Sequence, residues 1–480
     1  MTNEKAIKTA HLACELSLDH LTCDQVLEAS ITLLDEHGLS LSSERTRKFF
    51  SSIPGVHFHS ERVCFKKAMV YDYLEKMRAQ AGPVEPAASF SLGEPWSCLN
   101  WVDLQKGVIR GANEEDLIRA VRFLDSYGVE GFVPPVVLSS LPPALRDLHG
   151  TRICMENSSQ YGAPTHTPGE KELALYKQMA HVVQHKVWIL AMLIISPMRF
   201  DSAVCEFVLD HILDKELSIE MTAGMPCTGS TAPLIFPAAY VQSLAEALAA
   251  TLFIHAITHE YPFPYLRSDP FDMQYGNYCV GSPEYSLLDL GSRRIFQHLT
   301  GRPREWGYLL SMSKWPDQQA AHERTVSCWL QALSGAVHFK GAGQLSSDEV
   351  FSLEQVVIDR TIMQGAERVM RGLKWETSPD RSYQVLKEGF ARGSFLDHDS
   401  TLEEYVNFYS DRELFPAMNL NQWNSRNKPT PLSMAGEIIG KNLARNTFQR
   451  DELEIRELRK ICEYGKKLEG FYGFPGSPLL

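Results

Sequence analysis

From about residue 113 to residue 340 the chain alternates polar-faced helical stretches with short, unbroken apolar runs. The first unit opens at Asn113-Glu114-Glu115-Asp116. Asn113 can accept an amide hydrogen bond there, and the three acids suit the positive end of a helix dipole. A helix is predicted from this point to Tyr127, closed by Gly128, with an apolar strand following at Gly131-Phe132-Val133. The rhythm repeats as helix and strand at 171–183 with 187–194, 200–212 with 217–221, and 237–258 with 263–266. It continues at 283–300 with 308–310 and at 318–333 with 337–339. Apolar strands separated by helices of this length predict a parallel α/β sheet, and right-handed crossovers allow such a sheet to close into a barrel. Six βα units are legible; eight cannot be counted from periodicity.

The flanks read differently. Residues 1 to about 50 are predicted helical, with Val26, Ile31, Leu33 and Leu34 at helical spacing and Gly38 as a stop. Val63 and Phe65 suggest a short extended link before a helix at 68–79. The Pro- and Gly-rich section 83–107, with Trp96 and Trp101 inside it, reads as irregular or β-like. Beyond about residue 375 the chain turns charged and helical. Leu453, Ile455, Leu458 and Ile461 mark an apolar stripe there, predicted to pack a C-terminal layer onto the core. The expected division is an N-terminal extension at 1–112, a core at 113–375 and a C-terminal helical layer at 376–480.

Composition adds exclusions. A chain of 480 residues with 44% hydrophobic and 22% charged residues is ordinary for a globular protein with a large core. A net charge of −12 without any Lys/Arg tract argues against nucleic acid as a partner. The first twenty residues lack the apolar core of a secretory signal, and the longest apolar run, 187–195, is too short to cross a bilayer. Ten scattered cysteines without a CxxC pair indicate reduced thiols and a cytoplasmic protein. His255 and His259, four apart with Glu260 beside them, imitate a metal site but lack a third ligand at sensible spacing, so no metal is expected.

The densest chemistry lies at 307–325, GYLLSMSKWPDQQAAHERT. The strand Tyr308-Leu309-Leu310 ends in Ser311, and a polar loop with Lys314, Trp315 and Asp317 leads into a helix carrying Gln319, His322 and Glu323. In a parallel α/β protein such a junction lies at the ligand-binding end of the strand. Aromatic residues recur at other strand ends: Tyr265, Phe271, Tyr275 and Tyr278. Together with Tyr308 and Trp315 they could enclose a cation. Arg267, and Lys340 after His338, could meet a carboxylate or form rim ion pairs. Gly229-Ser230-Thr231 could offer amides to an anion or be only a tight turn. Gly341-x-Gly343 is too short for a dinucleotide loop.

Several segments match one family in order. They include 271–284 with Gly281-Ser282-Pro283-Glu284, Gly229-Ser230-Thr231-Ala232-Pro233, and Ala245-Glu246-Ala247-Leu248. Ser334-Gly335-Ala336, Gly341-Ala342-Gly343, Val357-Ile358-Asp359, 393–398, 33–38 and 113–117 also fit. Across roughly 20 to 460 the chain resembles the trimethylamine and quaternary-amine methyltransferases that pass a methyl group to a corrinoid protein. In the family's archaeal trimethylamine enzymes, pyrrolysine immediately precedes the segment matching Ser311-Met312-Ser313-Lys314; here that position is Leu310. Met312 and Ala321 also depart from common family patterns.

The resemblance implies a (β/α)8 TIM barrel with N- and C-terminal helical extensions, working in the one-carbon metabolism of a strict anaerobe. It implies a quaternary amine as donor, a betaine first, with carnitine, proline betaine, choline or a non-amine methyl compound as alternatives. A non-catalytic barrel that only binds such amines or the corrinoid protein is the other alternative. The acceptor is a Co(I) corrinoid carried by a cognate partner protein and not tightly held by this chain, and a homo-oligomer is expected by analogy. Leu310, Ser311, Asp317, Gln319 and Glu323 fall at the family's polar site. Tyr265, Arg267, Phe271, Tyr275, Tyr308, Trp315, His338 and Lys340 are candidates for the substrate. Gly229, Ser230, Thr231, Gly341 and Gly343 are candidates for the face toward the corrinoid. A quaternary nitrogen already carries a neutral leaving group, so orientation and water exclusion are expected here in place of acid catalysis.

Overall fold

The computed structural model describes residues 20–84, 87–373, 378–408 and 412–468. The expectation of a helical N-terminus lies partly outside them, as does Cys14. The predicted helices form nearly where the pattern puts them: Glu114–Ser126, Glu170–Val182, Ser202–His211, Ala238–Thr258, Pro283–Thr300 and Gln318–Leu333. Asn113 accepts from the amide of Asp116, whose carboxylate accepts in turn from Asn113, a reciprocal cap that fixes where this helix begins. Pro143–Asn157 and Leu353–Met370 are additional helices that the alternation did not single out. The first hides behind Pro142-Pro143, which reads as a loop.

Among the described residues the strands are short, and their twelve pairings divide into six parallel and six antiparallel. Val187–Met192 pairs in parallel with Leu217–Thr222 from Val187↔Leu217 to Met192↔Thr222. Trp306–Tyr308 pairs in parallel with His338–Lys340, which pairs in parallel with Ser91–Leu92. Gly93 continues the order through a parallel bridge to Glu130, and the Phe132 carbonyl accepts from the amides of Gly162 and Ala163. The section expected to be irregular or β-like supplies the strand Ser91–Leu92 beside His338–Lys340. The predicted strand at 263–266 is extended but joins no ladder, because Pro262 and Pro264 remove two amide donors from it. Among the described residues the ladders fall into five sheets, none closing on itself.

Among the described residues the apolar core falls into two large clusters and three small ones. Ala238–Thr258 is long and apolar enough to cross a membrane, yet 67% of that window is buried inside the protein. It packs along the helix His20–Glu36, where Ser30 Oγ donates to the Val241 carbonyl at 3.0 Å. Eight of the nine described cysteines are buried. The C-terminal layer is uneven. Glu452–Gly465 buries Leu458 and Cys462 while Leu453 stays exposed, and Pro379–Arg392 buries only Gly389.

Arg324 and Asp359 form a fully buried pair at 2.8 Å. Asp359 also accepts from the Gly343 amide at 2.7 Å, and Arg324 donates to the Gly341 carbonyl at 3.3 Å, so the pair anchors the turn after His338–Lys340. Asp359→Ala leaves the guanidinium without its counter-charge and is expected to destabilise the chain by about 3–5 kcal/mol. Denaturant unfolding that shifts by less than about 1 kcal/mol would show that the pair does not anchor the fold.

Candidate functional site

A cavity of about 680 Å³ opens at the carboxyl ends of the central strands. Its walls come from every part of the alternating pattern: Trp96, Val133, Thr165, Met192, Thr222, Tyr265, Tyr308 and Lys340 all reach it. This is the end of a parallel sheet at which side chains from separate loops converge on one ligand, and the volume suits a small molecule.

One wall is aromatic and cationic. Arg267 is buried, donates through Nε to Asp269 at 2.8 Å, and lies 4.6 Å over the Tyr308 ring. The Tyr265 hydroxyl donates to the Tyr308 hydroxyl at 2.9 Å, and Arg304 lies 5.4 Å over the Tyr265 ring. Desolvation raises the pKa of the Tyr265 phenol and keeps it neutral. Tyr308 is fixed from behind by Gln331, whose carboxamide accepts from the Tyr308 amide at 2.6 Å and donates to its carbonyl at 3.0 Å.

The adjoining wall centres on Lys340, the register partner of Tyr308 on the neighbouring strand. Its ammonium lies 4.9 Å over the Trp306 ring and 3.4 Å from Glu220. His338 stacks on Trp306 with centroids 4.8 Å apart and hydrogen-bonds Ser91 at 2.8 Å. Behind this wall Glu94 is buried and accepts from the amides of Phe132 and Val133. Burial pushes its carboxyl up to about 7 against the opposing pull of these amides.

Sequence-predicted residues divide between the cavity and its supports. Tyr265, Arg267, Tyr308 and Lys340 line it. Leu310 does not: it is buried with Val280 and Tyr285 in an apolar cluster against which Tyr308 packs. Trp315 packs against Val102, Ala320, Leu345 and Val350, away from the cavity. Phe271 and Tyr275 belong to the hairpin Asp269–Asp272 and Asn277–Tyr278, with Tyr275 exposed on its turn.

The polar loop residues work on the loop itself. Glu323 accepts from Ser311 Oγ at 2.6 Å, the Met312 amide at 2.9 Å and Gln319 at 2.7 Å. Asp317 caps its helix through the Ala320 amide and accepts from Ser313 Oγ. Gly229-Ser230-Thr231 forms a tight turn, with the Gly229 and Ser230 amides donating inside it and Thr231 Oγ1 accepting from the Cys227 amide. The Gly341 and Gly343 amides go to the Glu94 carbonyl and to Asp359, so neither is free for a corrinoid. His255 bonds the Glu260 carbonyl and stacks on Tyr261, and His259 caps its helix, which accounts for that pair without a metal.

Trp306, Glu220, Met192, Met221, Met225 and Asp348 also line the cavity but were not predicted. Asp348 follows Ser346 and Ser347, both at positive φ, whose amides donate to the Ser313 and Ser311 carbonyls. Two consecutive non-glycine residues in that region have no signature in sequence. Trp306 and Glu220 were readable by alternation, lying two residues from Tyr308 and Thr222 on the same strand faces.

The profile of the trimethylamine methyltransferase (MTTB) family matches residues 5–467. The chain belongs to this family. Among curated relatives it is 30% identical to the trimethylamine methyltransferase MttB1 of Methanosarcina acetivorans over 51% of this chain and 49% of that protein. It is 22% identical to the trimethylamine methyltransferase MttB of Desulfitobacterium hafniense over 78% of each. It is 27% identical to the L-carnitine:corrinoid methyltransferase of Eubacterium limosum over 46% of each. The chain spans about half the length of the Methanosarcina MttB1 relatives that it matches. Among solved structures, the monomethylamine methyltransferase of Methanosarcina barkeri aligns with a TM-score of 0.42 at 9% identity, covering 92% of this chain and 94% of that one.

The raised carboxyl of Glu94 makes a pH prediction for this family member. Between about pH 4.5 and 7 the folded chain keeps a proton that the unfolded chain has released, so stability should fall across that window by up to about 3 kcal/mol. Glu94→Gln is expected to flatten this part of the profile in denaturant unfolding; an unchanged slope would show that Glu94 does not hold the proton.

Proposed function

We propose that the chain is a cytoplasmic methyltransferase that moves a methyl group from a quaternary amine, a betaine first, to the Co(I) corrinoid of a separate protein. One observation carries this reading: the cavity pairs aromatic faces with two cations, Arg267 and Lys340, at the strand ends. A trimethylammonium group calls for ring faces, each worth about 0.5–2 kcal/mol, and a betaine carboxylate calls for a cation. The half-exposed Lys340–Glu220 pair is worth about 1 kcal/mol or less, so a substrate carboxylate can take Glu220's place at little cost. The eight segments that wall the cavity, beginning near 91, 130, 162, 187, 217, 263, 306 and 338, support reading the core as a (β/α)8 barrel with helical extensions.

The corrinoid supplies the nucleophile and arrives on its own protein. This chain's residues do the rest. The ammonium takes the Trp306 face that Lys340 leaves as it turns to the carboxylate. Tyr265 and Tyr308, whose rings carry Arg304 and Arg267, shape the wall beside it, and Met192, Met221 and Met225 keep water off the reacting carbon. The positive charge vanishes as the methyl leaves, and rings release it more readily than a carboxylate set on the nitrogen would. Ser311, Asp317, Gln319 and Glu323 position the loop beside Tyr308 and touch no substrate. Leu310 is buried beside Tyr308 and outside the cavity, so the preference for a betaine rests on the rings and on Lys340.

Purified chain mixed with a Co(I) corrinoid protein should consume one donor from a panel of glycine betaine, proline betaine, carnitine, choline and trimethylamine, with the demethylated amine appearing by mass spectrometry. Turnover of trimethylamine alone would refute the betaine reading, and binding without demethylation would show a sequestering protein. Lys340→Met should raise KM for the betaine about 10–100-fold, the loss of one charged hydrogen bond, with a smaller change in kcat.

A further inference from the structure

Three metal-ligating side chains meet on one face of the N-terminal hairpin, far along the chain from every cavity-lining residue. Val56–His59 pairs antiparallel with Arg62–Phe65, with His57 opposite Cys64 and His59 opposite Arg62. Cross-strand partners share a face, and residues two apart on a strand do too, so His57, His59 and Cys64 project to the same side. Their ligand atoms lie within 4.8 Å of one another. The Cys64 thiol is buried beneath, His59 is exposed above, and His57 lies between.

A carboxylate stands on the far side of the His57 ring. His57 Nδ1 is buried and has no hydrogen-bond partner, while its other ring nitrogen, Nε2, lies 3.6 Å from the Asp35 carboxylate. A coordinating imidazole usually sets its remaining nitrogen against a carboxylate in this way, which fixes the ring and raises its basicity. Asp35 comes from the C-terminal turn of His20–Glu36, so the group sits where that helix meets the hairpin. The charge of Arg62 is taken up by the carbonyls of His37 and Gly38 at 2.7 and 2.8 Å. Gly38, next to them, has no room for a side chain: a Cβ there would lie 2.6 Å from Cys64 Sγ.

We propose that His57, His59 and Cys64 form a Zn2+ site with Asp35 as the supporting carboxylate and water as fourth ligand, clamping the hairpin to the first helix. A thiolate and two imidazoles are the donor set zinc prefers, and tetrahedral bonds of about 2.0–2.3 Å need ligand atoms about 3.3–3.8 Å apart, a convergence of roughly 1 Å from the present spacing. On binding, Cys64 gives up its proton to water and the two imidazoles bind neutral. The site is independent of the methyl-transfer reading and takes no part in it.

The full chain, stripped with chelator and titrated with Zn2+ alone, should bind one equivalent and rise in Tm. Co2+ in its place should give a thiolate-to-cobalt charge-transfer band in the near ultraviolet. His59→Ala, at an exposed position, should fold normally and lose both the band and the Tm rise, and Asp35→Asn should weaken binding about 10–100-fold. No thiolate band in the wild type, or a band and affinity unchanged in His59→Ala, would overturn the proposal.

Discussion

Guanidinium groups gripping main-chain carbonyls hold the working end of this molecule together. The strands Trp306–Tyr308 and His338–Lys340 share only three paired residues, too few to fix their own register. Arg293 donates to the Arg304 carbonyl at 2.7 Å and the Trp306 carbonyl at 2.6 Å while its Nε bonds Asp289. Arg324 does the equivalent for the turn after Lys340. Buried charges are costly alone and hold geometry when every partner is present, and here the partners are the backbone atoms that aim Trp306, Tyr308 and Lys340.

This dependence explains why so little of the cavity chemistry is performed by the polar loop after Leu310. Its acids and hydroxyls are consumed in holding the loop against Tyr308, which leaves the cavity to aromatic rings, methionines and a few charges from strand ends. A site of that kind orients a cation and excludes water, and a quaternary donor needs no acid.

Six helices of the alternating region were legible nearly to the residue, because Asn113, Asp317 and Ser282 cap three of them with short polar side chains and the apolar period is strong, whereas Pro143–Asn157 was missed. Strands were less so. Ser91–Leu92 is two residues long in a Pro-rich section, and its place between His338–Lys340 and Glu130 is set wholly by tertiary pairing. Within the site, Tyr265, Arg267, Tyr308 and Lys340 could be read from strand-end position. Trp315, Phe271 and Tyr275 could not be separated from them, since all are aromatics near strand ends and only packing distinguishes a wall from a support. Glu94 was invisible because its altered acidity comes from burial against residues 132 and 133, nearly forty positions away. The same limit hid His57, His59 and Cys64, whose convergence depends on hairpin register.

The burial of Leu310 bears on which side chains position 310 could accept. Its side chain fills a closed apolar nest, and its carbonyl faces Gly281, where any added Cβ would come within 2.8 Å of that oxygen. A long reactive residue grafted at position 310 would have to displace Val280 and Tyr285 before reaching past Tyr308. A long side chain at position 310 therefore requires rebuilding the neighbourhood around it.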